Sequence, residues 1–282
     1  MTHASPASAA LEGLRVIRRE PKAVLSWVVI WIVALVIIGA TVILTHAPEG
    51  AAAAHGRGFI AVARRFGPLW PILVSTFLGL WVMTTASVFR AVLRADEHGW
   101  HLFKLGPDEV RIAIVTGAGS LIALLFGSVP VIMFLAAKPI LALAPALEQW
   151  VVYSGALATV AVDIWIAVRL SFTPVHTFAT RRLSLFDYWR ITGGHFWFIS
   201  AAYALVAFEM VVIFVAFTVL AGILARILRG FPLSLEITTD LLAAVSFVLG
   251  WTIFCACQAF AYRAFASRSS PGRSAQPPPS AL

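Results

Sequence analysis

Two acids stand inside long apolar stretches, Asp163 in WVVYSGALATVAVDIWIAV and Glu209 in FWFISAAYALVAFEMVVIF. A carboxyl group surrounded by hydrocarbon is unfavourable, so its presence points to ligand binding, proton traffic or a hydrogen bond between helices. If both stretches are helical, Asp163 lies about 9 Å before Arg169, where its apolar run ends, and Glu209 about 20 Å beyond Phe196, where the next run begins. The two acids then differ in depth by roughly 10 Å, too far to pair directly. Thr84, Thr85, Tyr203 and Gln258 fall near the depth of Asp163 on other apolar runs. Such a polar layer reads in two ways. Asp163, Glu209, Tyr203 and Gln258 could bind a small or amphiphilic ligand in a cavity. Otherwise the layer supplies hydrogen bonds that hold the helices together, the commoner use of polar groups at this depth.

The remaining reactive groups are poorly arranged for chemistry. His98 and His101 stand beside Asp96 and Glu97. Their spacing suits a metal only if the turn is helical, and Gly99 opposes that. Cys255 and Cys257 point to different faces of a helix, which argues against a mutual disulfide or a metal site. Gly117-Ala-Gly119-Ser120 reads as a helix-packing patch rather than a serine nucleophile, since no histidine stands within an apolar run to activate it. No Walker motif, HExxH or nucleophile elbow occurs. The expectation is therefore a non-enzymatic protein with no catalytic residue, metal or cofactor.

What must position these groups is a membrane fold. The chain has 282 residues, of which 60% are hydrophobic and 12% charged, with mean hydropathy +0.90. Soluble domains carry roughly 25% charged residues. Six runs each suit a bilayer core of ~30 Å: Ala23–Thr45, Leu69–Phe89, Ile112–Ala137, Trp150–Val168, Phe196–Ala225 and Leu241–Tyr262. Gly106-Pro107-Asp108-Glu109 opens the third, with Pro at the first helical position and acids at the positive end of the dipole. Pro130 should bend it and release the carbonyl of residue 126. The first run starts too late and is too long for a cleavable signal, so it reads as an uncleaved anchor.

Between the runs the pattern changes. Residues 1–7 read as disordered. From Ala9 to Glu20, Leu11, Leu14 and Ile17, with Arg18 beside them, recur at helical spacing while Arg15 and Arg19 face elsewhere. This is the pattern of an interfacial helix, ended by Pro21, with a plain solvated tether as the alternative. Residues 46–68 read as a second surface helix. Arg169–Trp197 is the longest polar interval of the second half. It predicts a short connector, then an amphipathic helix capped at Ser184 with Asp187 as its capping-box acid, stopped by Gly193-Gly194. The low-complexity tail SRSSPGRSAQPPPSAL reads as disordered. The organisation is a cytoplasmic tail with an interfacial helix (1–22), a membrane domain (23–265) and a disordered cytoplasmic tail (266–282).

Charge sets the expected orientation. With the N-terminus in the cytoplasm, inner segments hold 15 of the Lys and Arg residues and outer segments 6, which predicts both termini inside. Arg90, Arg169 and Arg263 close the second, fourth and sixth runs. With Arg181 and Arg182 they are candidates for contact with anionic lipid headgroups, and nucleic acid is not an expected partner.

The N-terminal ALEGLRVIRREPKAVLSW, the Arg169-Leu-Ser-Phe-Thr-Pro174 exit and the SLFDYWRITGGHFW block resemble the six-span bacterial inner-membrane proteins of the YciC type. That family is related to the membrane domain attached to some glycerophosphodiester phosphodiesterases. Arg169, Pro174, Tyr188, Trp189, Ile191, Thr192, Gly194 and Phe196 hold the matching positions. The specific part is about thirty residues, within a layout spanning residues 9–265. The resemblance implies an integral membrane fold and carries over no functional residue.

The sequence thus predicts an all-α polytopic transmembrane helical bundle of six spans with short interfacial amphipathic helices, in the bacterial inner membrane. Its expected role is to organise or support other membrane components while contacting anionic lipid, as a homo-oligomer or with another membrane partner. The competing reading is a small permease or lipid-handling transporter that uses Asp163 and Glu209.

Overall fold

The structure, a computed structural model, describes residues 5–46, 67, 69–94, 106–141, 145–227 and 232–266. The surface helix expected between His46 and Gly67, the His98–His101 turn and the tail after Ala266 lie outside the described residues. The helices are α1 (Pro6–Ala10), α2 (Glu12–Arg19), α3 (Pro21–His46), α4 (Leu69–Leu93), α5 (Pro107–Leu141), α6 (Pro145–Leu170), α7 (Thr173–Thr180), α8 (Trp189–Gly194), α9 (Phe196–Ile227) and α10 (Pro232–Ala266). Among the described residues there is no strand.

Helices α3, α4, α5, α6, α9 and α10 are long and apolar enough to cross a membrane. Their outward faces carry bulky side chains bare of protein, such as Leu124, Leu157 and Phe208, which are 69%, 72% and 66% exposed. Water would not tolerate apolar surface on this scale, whereas hydrocarbon covers it without penalty. The molecule is a multi-pass, all-α membrane protein.

Local chemistry sets several helix ends. Pro107 opens α5, the Glu109 carboxylate accepts the Gly106 N–H at 2.9 Å, and Asp108 pairs with Arg111 at 2.9 Å. The helix then runs through Pro130 to Leu141. At the N-terminus, where disorder was expected, helix begins at Pro6. Ser5 and Ser8 exchange hydrogen bonds between side chain and backbone, at 3.0 and 3.1 Å, and so cap the first turn. The sixth apolar run lies in a helix that starts nine residues earlier than its apolar stretch, at Pro232.

The polar interval after α6 departs most from expectation. Thr173–Thr180, expected as connector, is helix α7, with Pro174 in its first turn. Residues 183–188 are not helical, and α8 begins only at Trp189. The Ser184 Oγ does accept the Asp187 N–H, at 3.3 Å, yet this closes a local turn. Leu185 offers its carbonyl to Thr173 Oγ1 at 3.3 Å, so the segment is held by α7 instead of by its own helical ladder. Gly193 and Gly194 are the last residues of α8, and the break falls at His195.

The described chain forms two compact units. One contains residues 106–203 and 258 onwards together with α1 up to Ala9; the other contains 10–105 and 204–257. In the first, α5 packs against α6 and α7, and buried side chains include Ile112, Val115, Ile166, Phe172, Phe178 and Phe265. In the second, an aromatic cluster of Trp31, Phe77, Trp81, Phe247 and Trp251 joins α3, α4 and α10, with ring centroids 4.1 to 6.3 Å apart.

Candidate functional site

In the unit of α5, α6, α7 and α8, Arg169 is the organising side chain. It stands in the last turn of α6. Its guanidinium lies over the rings of Trp165 and Trp189, 5.3 and 5.4 Å from their centroids. Nη1 donates to the Trp189 carbonyl at 2.8 Å. Planar, delocalised charge suits both contacts better than the compact, strongly hydrated charge of an ammonium. Gly193 makes room for it, since a Cβ there would collide with Arg169 Nη1. Thr192, fully buried, places its Oγ1 3.4 Å from the Arg169 carbonyl. Arg169 therefore acts inward, as a clamp between α6 and α8. Its buried Nε has no hydrogen-bond partner among the described residues.

Beside the clamp lies a second knot. His176 on α7 places Nδ1 3.3 Å from the Tyr262 hydroxyl on α10. Tyr188 packs against both rings at a tilt, with centroids 4.1 Å from His176 and 5.0 Å from Tyr262. Asp187 Oδ2 stands 3.8 Å from His176 Nε2, an ion pair only when the imidazole is protonated. Sequence reasoning missed this group. The histidine lies seven residues beyond Arg169 on a helix that was expected to be connector, and nothing local ties it to residue 262.

Asp163, on α6, faces α5 at Gly127, where a Cβ would stand 2.8 Å from Oδ1. The small residue leaves space for the carboxyl between the two helices. Gln258 is buried in the same unit, where Tyr203 is half-buried.

In the other unit, the threonines of the expected polar layer are engaged between helices. Trp31 donates its indole N–H to Thr84 Oγ1 at 3.0 Å, and Trp251 donates to Thr85 Oγ1 at 3.0 Å. Both hydroxyls donate in turn to carbonyls of their own helix, at 2.8 Å. Glu209 on α9 is half-buried, and its Oε2 is buried without a hydrogen-bond partner among the described residues.

Of the five arginines expected at headgroups, Arg90 is only 5% exposed, which leaves it almost no surface for a lipid. Arg169 turns inward, as above. Arg181, Arg182 and Arg263 are exposed. Arg181 also caps α7 in the left-handed conformation (φ 55°), a position that favours glycine. Among the described residues no group of three or more His, Cys, Asp or Glu could hold a metal ion. No family model, curated protein or solved structure matches this chain.

Proposed function

We propose that this is a non-enzymatic protein of the bacterial inner membrane that organises or supports other membrane components, with both termini cytoplasmic and its basic inner face on anionic lipid. The observation that carries the reading is the use made of polar groups near the Arg-rich helix ends. Thr84, Thr85 and Arg169 are each bonded to another helix, as a fixed scaffold requires. The exposed Arg181, Arg182 and Arg263 supply cations for headgroup phosphates. The resemblance to YciC-type proteins agrees with a membrane component that lacks a catalytic centre.

A specific observation favours a second reading. The unpartnered Oε2 of Glu209 and the carboxyl of Asp163 against Gly127 suit a small permease or lipid-handling transporter. One pair of measurements separates the two. Native mass spectrometry after extraction with native lipids should show anionic lipids retained in excess over their membrane abundance. Flux in proteoliposomes should be absent. Retention in proportion to abundance would remove the lipid-contact reading. A pH-dependent flux lost in Asp163→Asn, with folding intact, would establish the transporter, because Asn keeps the shape of Asp but cannot ionise.

A further inference from the structure

We infer that α2 docks on the bilayer surface through a face made of Leu11, Leu14, Arg15 and Arg18, and that this face is a binding surface for anionic phospholipid. The inference rests on the proposed lipid contact and gives it a place. Residues 11, 14, 15 and 18 follow the i, i+3, i+4, i+7 rule and share one side of the helical turn. The Arg15 N–H donates to the Leu11 carbonyl at 3.2 Å, so Leu11 belongs to the same turn. The opposite side is spoken for by the protein. Glu12, Gly13 and Val16 are buried, and Gly13 lies so close to α10 that a Cβ would collide with the Ile253 backbone. Arg19 donates to the Ala91 carbonyl near the end of α4.

What stays outside is an unusual mixture. Leu11 and Leu14 are 44% and 39% exposed, and Arg15 and Arg18 stand among them, also exposed. The sequence alone separates Arg15 from this stripe, and the structure returns it there. The Arg15 side chain remains 58% exposed even while it meets Glu12 at 3.1 Å. Aliphatic side chains flanked by arginines fit the boundary between acyl chains and phosphates.

Chain geometry commits the face to that occupant. Helix α2 ends at Arg19, and Pro21 already opens α3, a helix apolar enough to cross a membrane. Only Glu20 separates them, so α2 stays beside the end of a span, and Arg19 reaches Ala91, next to the Arg90 that closes the second apolar run. The outer stripe of α3, Leu25, Val29, Val33 and Val36, is exposed as lipid-facing residues must be. Two arginines against one acid, Glu12, leave this face with net positive charge, which favours lipids of net negative charge over zwitterionic ones that bear the same phosphate.

The test uses the full chain in nanodiscs of phosphatidylglycerol with phosphatidylcholine, against phosphatidylcholine alone. Amide exchange is read over residues 11–19, and retained lipid by native mass spectrometry. Each arginine at an anionic surface contributes about fivefold in affinity, so the two together contribute roughly 30-fold. Exchange in α2 should slow at least tenfold in the anionic discs. The Arg15→Gln/Arg18→Gln variant should lose that slowing while keeping wild-type exchange in α4 and α10. Leu11→Ser/Leu14→Ser should lose it in part, and Arg226→Gln not at all. Unchanged α2 exchange in anionic discs, with anionic lipid still retained elsewhere, would overturn the assignment of this face alone. Absence of any preference for anionic lipid would overturn it together with the reading on which it rests.

Discussion

Arg169 shows how a single charged side chain can hold a membrane fold without an acid beside it. Two indole faces and one carbonyl receive its charge, and the missing side chain of Gly193 gives the guanidinium its place. Gly193→Ala should therefore displace the guanidinium and weaken the clamp, lowering stability by about 1 kcal/mol, measured by thermal unfolding in detergent. Arg169→Lys should destabilise by a similar amount even though the charge is kept. If lysine were as good, the stacked geometry would have no part in the clamp. The threonine on which Trp251 rests offers a second case. Thr85→Val preserves the shape but leaves the Trp251 N–H without its acceptor. The expected loss is about 1 kcal/mol, and a double-mutant cycle with Trp251→Phe should recover most of it as coupling.

At the scale of elements, α2 is the instructive case. Eight residues form no stable helix alone in water. Its order comes from one buried face and from backbone contact between Gly13 and Ile253. Gly13→Ala should lift α2 from α10, because the atom it would strike belongs to the main chain. Exchange of residues 12–19 should then quicken about tenfold or more while α4 keeps its protection. Equal protection in the variant would show that α2 is held by something other than this contact. Helix α8 makes the complementary point. Its short length follows from Thr173 and His176 capturing Leu185 and Tyr188, which removes those residues from any helix of their own.

The whole molecule is governed by its solvent. The faces of α5, α6 and α9 that would be a liability in water are matched to hydrocarbon, and charge at the loops decides which way the spans run. Reporter fusions after Arg94, Arg190 and Arg268 should all prove cytoplasmic. A single periplasmic reporter among them would break the six-span arrangement with both termini inside.

The sequence by itself determined the six long apolar helices and two of their starts, because transfer into hydrocarbon depends on local composition summed along a run. Leu69 and Phe196 begin helices where their apolar runs begin. The start of α5 was legible for the same local reason, since Pro107 and Glu109 act on their own turn. The Ser5-Pro6 start of α1 has an equally local cause and could have been read from serine as cap and proline at the first position. Only the tertiary structure decided which polar groups meet: Thr84 with Trp31, Thr85 with Trp251, Arg169 with the Trp189 carbonyl and His176 with Tyr262. It also decided that Arg15 shares the outward face of α2 while Arg90 is buried. In lipid, an apolar side chain has no hydrophobic reason to choose protein over solvent, so periodicity does not mark the inward face of a span. Helix rotation is settled by close backbone approach at glycines and by hydrogen bonds between distant residues, and neither leaves a signature in a single apolar run.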